Sequence, residues 1–532
     1  MKTGVSFKAP HPGSPEMPRW ETGELIDAPR FTWKNWFALL GPGLVLGGSS
    51  IGGGEWLLGP RVTALYGGSL LWLTTLSVLG QVIYNIEISR YTLYTGEPIF
   101  TGKFRTLPGP GFWVLAYLFL DLGSIFPYLA ANAATPVATL LKGGVVPNPA
   151  ADSGDFWLMK ALGYVIFLLA LVPLLFGGKI YNSLRAVMAF KIVVVFGFLL
   201  FLAFFFSQPS TWVEILSGFL KFGTVPVQVA ADTPLSRGAN VDNIFIALLE
   251  GRGLPAVDFT LIAFIAALAA IAGSGGLTNT PISNYTRDQG WGMGHHVGAI
   301  PSVFGGHGLS LSHVGRVFEV NEKSLLRWRR WYRHVARDQL VVWMPACFIG
   351  LALPAMLSVQ FLPFGTQSDD WTMAVMTAGG VRDKVALASS YALGNFCWFM
   401  TILCGFLVLA PTVSTTADGI IRRWVDVFWT SSKRLRRMDT EAIKSVYFKV
   451  LLGYALFGVI MLSLTPGTLI TNATMFYNIA LGVSCWHTLA VNLTLLPPEL
   501  RPGWLVRIGL SLSGLFFFSL GVIVVISRIW PS

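Results

Sequence analysis

The chain has 532 residues, 53% of them apolar and only 12% charged, about half the charged fraction usual in a soluble domain. Its 19 Trp and 38 Phe lie in long runs broken by 57 Gly and 30 Pro, more apolar surface than one aqueous core hides, which excludes an ordinary water-soluble globule. A net charge of +11 raises nucleic acid as a partner, but the placement of the charge points to a bilayer instead. With a cytoplasmic amino terminus and an odd number of spans, 27 of the 38 Lys and Arg fall on the inner side, as the positive-inside rule requires.

In chain order, residues 1–35 carry Pro10, Pro12, Pro15, Pro18 and Pro29 among charges and lack the apolar core of a signal peptide, so a disordered cytosolic tail is expected. Eleven spans are expected at 36–65, 68–92, 111–141, 157–176, 184–206, 258–286, 339–358, 387–413, 445–464, 468–496 and 504–529, each long enough for the roughly 20 residues that cross the hydrocarbon. This predicts an all-α integral membrane protein, multi-pass in the cell (inner) membrane. Residues 36–206 form one block of five spans, 207–257 an outer loop, 258–496 a second block of five, and 497–532 the eleventh helix. The stretches 287–338 and 421–447 read as basic cytosolic loops. Arg327, Arg329, Arg330 and Arg333 with Trp328 and Trp331 are read as a juxtamembrane patch facing anionic lipid rather than as a nucleic-acid site. Cys347, Cys397, Cys404 and Cys485 sit in apolar runs and imply neither disulfides nor zinc. His295 and His296 are adjacent and read as a polar loop feature.

Spans one and six differ from the rest. The first contains Gly47-Gly48-Ser49-Ser50-Ile51-Gly52-Gly53-Gly54-Glu55, and the sixth Ala272-Gly273-Ser274-Gly275-Gly276-Leu277-Thr278-Asn279-Thr280-Pro281. Glycine is the poorest ordinary helix former, and non-helical backbone at membrane depth persists only where protein buries it or a watery cavity solvates it. Each break opens a block of five spans. Five is odd, so the two blocks insert with opposite topology, the pattern of an inverted-repeat secondary transporter whose site lies between two discontinuous helices.

The chemistry is expected at these breaks. Glu55 is the only carboxylate in the first and is a candidate for substrate binding, proton coupling and metal coordination. Ser49 and Ser50 offer hydroxyls, with backbone carbonyls from Gly47 to Gly52 beside them. In span six, Thr280 before Pro281 reads as an N-cap, with Thr278, Asn279, Ser283 and Asn284 around the gap, all hard or neutral groups without a soft ligand. Asp121 in span three is a candidate proton relay, since burial raises the proton affinity of an acid. Glu87 with Arg90, and Asp418 with Arg422, are spaced to pair on one helix face.

Gly41-Pro42-Gly43, the first break, Leu70-Leu71-Trp72, Asn85, Arg90 and Thr95-Gly96, followed by Asp121 and by Ser207-Gln208-Pro209, resemble the Nramp divalent-metal transporters. The resemblance implies the leucine-transporter fold and transport. The departures lie at the centre. The family's Asp-Pro-Gly-Asn metal motif falls on Gly52-Gly53-Gly54-Glu55, its Met-Pro-His on Gly276-Leu277-Thr278, and a second family acid on Ser124. Gly52 and Gly276 each delete a side chain facing the gap, which predicts a wider pocket. One reading is a hard, partly hydrated divalent cation such as magnesium, with proton coupling. The alternative is a small organic solute such as an amino acid or amine, and a second alternative is a nontransporting sensor or scaffold. The spans hold no convergent catalytic set, with His487 isolated, so no enzyme and no cofactor are implied. The partners implied are a small solute or cation, protons and the lipid bilayer, with no nucleic acid.

Overall fold

The computed structural model describes residues 7–32, 41–50, 56, 59–176, 180–228, 238–259, 262–302, 309–366, 368, 370–464 and 466–529. The first block comprises α1 (Pro42–Ser50), α2 (Gly59–Tyr66), α3 (Trp72–Thr95), α4 (Ile99–Arg105), α5 (Pro110–Leu120), α6 (Leu122–Ile125), α7 (Tyr128–Leu141), α8 (Ser153–Leu171) and α9 (Ile180–Phe206). The intervening loop carries α10 (Pro209–Gly218), α11 (Ile244–Leu249) and a hairpin in which Thr224–Pro226 pairs antiparallel with Val241–Asn243. The second block comprises α12 (Ile262–Ile271), α13 (Pro281–Asp288), α14 (Gly294–Val297), α15 (Glu322–Arg337), α16 (Met344–Phe361), α17 (Asp370–Ala388), α18 (Tyr391–Ser431), α19 (Ile443–Met461) and α20 (Pro466–Thr494). Helix α21 (Trp504–Ile529) follows and packs against α20 and α3. Among the described residues, seven helical stretches are long and apolar enough to cross a membrane.

Span six is discontinuous, as expected: α12 stops at Ile271 and α13 begins at Pro281. In span one, the described parts are α1 (Pro42–Ser50), Trp56 and the stretch from Gly59 at the start of α2, so the interruption expected there lies outside the described residues. Span three, expected as one stretch over 111–141, is divided into α5, α6 and α7, with Pro127 interrupting the ladder before α7.

Two expectations fail for one physical reason: buried partners override local polarity. Residues 7–32, expected to be disordered, are packed, with Met17, Trp20 and Leu25 buried. Glu21–Thr22 pairs in parallel with Arg316–Val317, and Ser14 N–H donates to the Arg105 carbonyl at 2.7 Å. The eighth span, expected over 387–413, runs as α18 to Ser431, 41 residues or about 60 Å at 1.5 Å each. Much of the expected loop 421–447 is therefore helix, and Arg422 and Arg423 at its start are buried against acids.

Candidate functional site

The break in span six is built on left-handed backbone. Gly273, Gly275 and Gly276 have φ of +94°, +64° and +56°, a region that side chains with a Cβ rarely adopt. At Gly276 space also requires glycine, since a Cβ there would lie 2.5 Å from the Tyr477 ring.

The polar groups released by the break are taken up by α3. Gln81 Nε2 donates to the Ala272 carbonyl at 2.6 Å. Its Oε1 accepts from the Ser274 N–H at 3.1 Å and from Asn279 Nδ2 at 2.9 Å. Ser77, one turn away, donates to the Ala269 carbonyl at 2.7 Å. Both side chains are fully buried, so the amide of Gln81 replaces water for backbone that has left its ladder.

The expected site residues divide into two groups. At the break, Ser50 Oγ lies 3.1 Å from Ser274 Oγ, joining α1 to the middle of the interrupted span. Ser49 and Ser50 also donate to the Leu46 carbonyl at 2.9 and 2.7 Å. Thr278 Oγ1 bonds to the Gly275 carbonyl at 2.5 Å. Ser49, Ser274 and Thr278 are only partly buried, whereas Asn279 and Thr280 are fully buried. Accessible hydroxyls thus sit beside backbone whose carbonyls do not all belong to a helix. Gly52 and Glu55 lie outside the described residues. Among the described residues, no group of three or more His, Cys, Asp or Glu is placed to hold a metal ion.

The remaining assignments need correction. Thr280 stands at the N-cap position of α13, as expected, but makes no side-chain cap bond: its backbone is already helical, and its hydroxyl donates back to the Leu277 carbonyl at 2.7 Å. Pro281 does occupy the first turn of α13. Ser283 accepts from Ile99 N–H of α4 at 3.1 Å, and Asn284 donates to Asp426 at 2.5 Å. The volume expected from Gly276 is filled by Tyr477. Asp121 is not a free acid. It is ion-paired with Arg423, whose Nε donates to it at 2.9 Å, and Trp424 Nε1 donates to it at 2.7 Å.

That ion pair reaches the break, because Arg423 Nη1 donates to the Leu277 carbonyl at 3.0 Å. The preceding residue on the same helix, Arg422, bonds Asp418 at 3.0 Å and is paired with Asp288. Asp418 in turn accepts from Tyr285 at 2.9 Å and Tyr447 at 2.6 Å. Arg287 bridges Asp426 at 2.7 Å and Asp288 at 2.8 Å. All these charged side chains are fully buried or nearly so, so each depends on its partner for solvation. The Asp418 and Arg422 pair was legible from spacing, as was Glu87 with Arg90, which meet at 2.8 Å. Gln81, Ser274, Tyr477 and Arg423 were missed as site residues. Only Ser77 and Gln81, polar and four apart in an apolar run, carried a usable signal.

At the end of the bundle that carries residues 7–32, Glu97 accepts from Arg105 Nη2 at 2.5 Å, Tyr91 at 2.8 Å and Trp20 Nε1 at 3.1 Å. Burial, the largest single influence, favours the neutral acid. The charge of Arg105 and these hydrogen bonds together outweigh it and hold the carboxyl below its ordinary value of 4.5.

No family model and no curated protein sequence matches the chain. Among solved structures, it is similar to the manganese transporter of Eremococcus coleocola in complex with an aromatic bis-isothiourea substituted compound. The TM-score is 0.57 at 13% identity, covering 95% of this chain and 90% of that one. A mutant of the same transporter gives a TM-score of 0.60 at 12% identity over the same shares. The likeness is one of fold over nearly the whole of both chains, and the leucine-transporter-type architecture implied by the Nramp resemblance is the architecture of this protein.

Proposed function

We propose that the protein is an Nramp-related secondary active transporter that moves a small, hard divalent cation such as magnesium by alternating access. The observation that supports this reading is the meeting of Ser50 and Ser274 at 3.1 Å, which brings α1 to the interruption in the sixth span. The accessible groups there are hydroxyls beside carbonyls, a hard-oxygen environment suited to an ion that keeps part of its water. Tyr477 in the space beside Gly276 favours a small ion over an amino acid or amine. In this reading Glu55 supplies the carboxylate for the cation and exchanges the coupling proton. Asp121, paired with Arg423, acts through that arginine on the Leu277 carbonyl. The amino-terminal end of the bundle faces the cytoplasm, in keeping with the excess of Lys and Arg there.

The test is flux into proteoliposomes loaded with a magnesium-sensitive dye, with Glu55→Gln as the comparison. Magnesium entry into wild-type vesicles that is lost in the variant is expected. Amino-acid uptake without magnesium or manganese entry would replace the cation reading with the organic one, and the absence of any uptake would favour a sensor.

A further inference from the structure

Helix α15 runs through the π turn Asp338–Trp343 into α16, so that Glu322–Phe361 is one helical stretch. Its exposed residues change character on the way. Leu326, Arg329, Arg330 and Arg333, spaced three, four and seven apart, share one exposed face. The next exposed positions are Leu340 and Val341, 44% and 66% accessible, apolar side chains suited to acyl chains. Arg333 stands seven residues, about 10 Å, from Leu340 along the helix. The headgroup layer is roughly 5–8 Å thick, so a long arginine side chain at that distance reaches the lipid phosphates.

The neighbouring contacts fix the same level. Trp328, Trp331 and Tyr332 lie in these turns, aromatic residues of the kind that gather at a membrane surface. Trp328 and Tyr332 close over Arg90 near the end of α3, its guanidinium carbon 5.3 and 4.4 Å from their ring centroids. The basic half of α15 is thereby held beside the end of a spanning helix.

The charges on α15 then divide into two flanks. The amino-terminal segment satisfies one of them: Arg327 pairs with Glu24 at 2.7 Å and Asp27 at 3.3 Å, and Lys323 with Glu24 at 3.5 Å. Trp331 Nε1 donates to the Ile26 carbonyl at 2.8 Å, and Arg330 is held loosely by Asp27 at 3.5 Å. Arg329 and Arg333 remain. Among the described residues, neither makes an ion pair or a side-chain hydrogen bond. They stand four apart, where like charges repel on a helix. An anion between them replaces that repulsion with two attractions, and the guanidinium fork matches phosphate oxygens.

We propose that Arg329 and Arg333 clasp the phosphate of an anionic phospholipid at the bilayer surface, on the flank of α15 that the amino-terminal segment leaves uncovered. An anionic headgroup is preferred to a zwitterionic one because Arg330 adds a third positive charge beside the pair. The carboxylates of Glu24 and Asp27 are the built-in anions of one flank, and the lipid supplies the anion of the other. The lipid contact holds whatever solute the breaks carry.

The experiment measures equilibrium binding of acyl-labelled phosphatidylglycerol to the purified full-length protein in neutral detergent, with phosphatidylcholine carrying the same label as the comparison. Wild type is expected to prefer phosphatidylglycerol. Arg329→Ala with Arg333→Ala is expected to weaken that binding by roughly 30-fold, about fivefold for each arginine removed, and to leave phosphatidylcholine binding unchanged. Arg434→Ala with Arg437→Ala removes the same charge from another exposed stretch and is expected to retain the preference. If the alanine pair at 329 and 333 does not fold, Arg329→Gln with Arg333→Gln, which keeps side-chain length, carries the same comparison. Equal binding of the two lipids by wild type, unchanged phosphatidylglycerol binding in the folded 329 and 333 variant, or an equal loss in the Arg434 and Arg437 variant overturns the proposal.

Discussion

Gln81 and Asn279, 198 residues apart in sequence, meet at 2.9 Å through side chains that are both fully buried. The contact places the α3 amide against the interrupted span, where the same Gln81 also serves Ala272 and Ser274. Gln81→Leu should leave these groups without a partner, at about 1–3 kcal/mol for each buried group orphaned. Unfolding titrations in detergent should show the loss, with uptake falling alongside. Unchanged stability would mean that the break does not depend on α3.

Asp121 and Arg423 are both fully buried. Asp121→Asn should destabilise by about 3–5 kcal/mol because it strands the guanidinium, whereas replacing both residues by apolar ones of similar volume should cost far less. A double-mutant cycle on unfolding free energy reads the difference. Additive losses would contradict a direct pair.

Gly276→Ala introduces a Cβ 2.5 Å from the Tyr477 ring at φ +56°. The left-handed backbone alone costs of order 1 kcal/mol or more. Combining it with Tyr477→Ala should relieve the clash and leave that backbone cost, so the double variant should be transport-competent only in part. A thermal shift for each variant, with uptake measured in parallel, tests the ordering.

The Glu97 carboxyl, held below 4.5 in the folded protein, gives a contribution to stability that is present above that ordinary value and lost as pH falls through the lower folded-state value. Acidification below 4.5 should free residues 14–23 for cleavage by pepsin. Glu97→Gln should expose the same residues to proteolysis at neutral pH. Persistence of the protected tail in both cases would show that its docking rests on its apolar side chains instead.

The fold was legible where it followed from local chemistry. The glycine string from Gly273 to Gly276 predicted the interruption, and four-residue spacing predicted Asp418 with Arg422. What could not be read depended on partners distant in sequence. Asp121 reads as a lone acid until α18 brings Arg423 to it from 302 residues away. Arg423 looks like a loop charge until Asp121 solvates it, and the spacing that pairs Arg422 with Asp418 does not announce Asp288 as its second partner. The small residue at 276 suggested open volume, because nothing near it in sequence announces Tyr477. Trp20 and Leu25 lie among prolines and charges, and their burial depends on Glu97 and on the stretch around Arg316.

Helix α18 carries both Thr412, where Lys191 is moored, and Arg423, which grips the Leu277 carbonyl. The ten residues between them are continuous helix, a strut of about 16 Å. A tilt of this strut displaces both ends at once, in a ratio set by its pivot. Loosening the moorage at one end is therefore registered as torque at the other, and the two attachment points behave as opposite arms of a single lever.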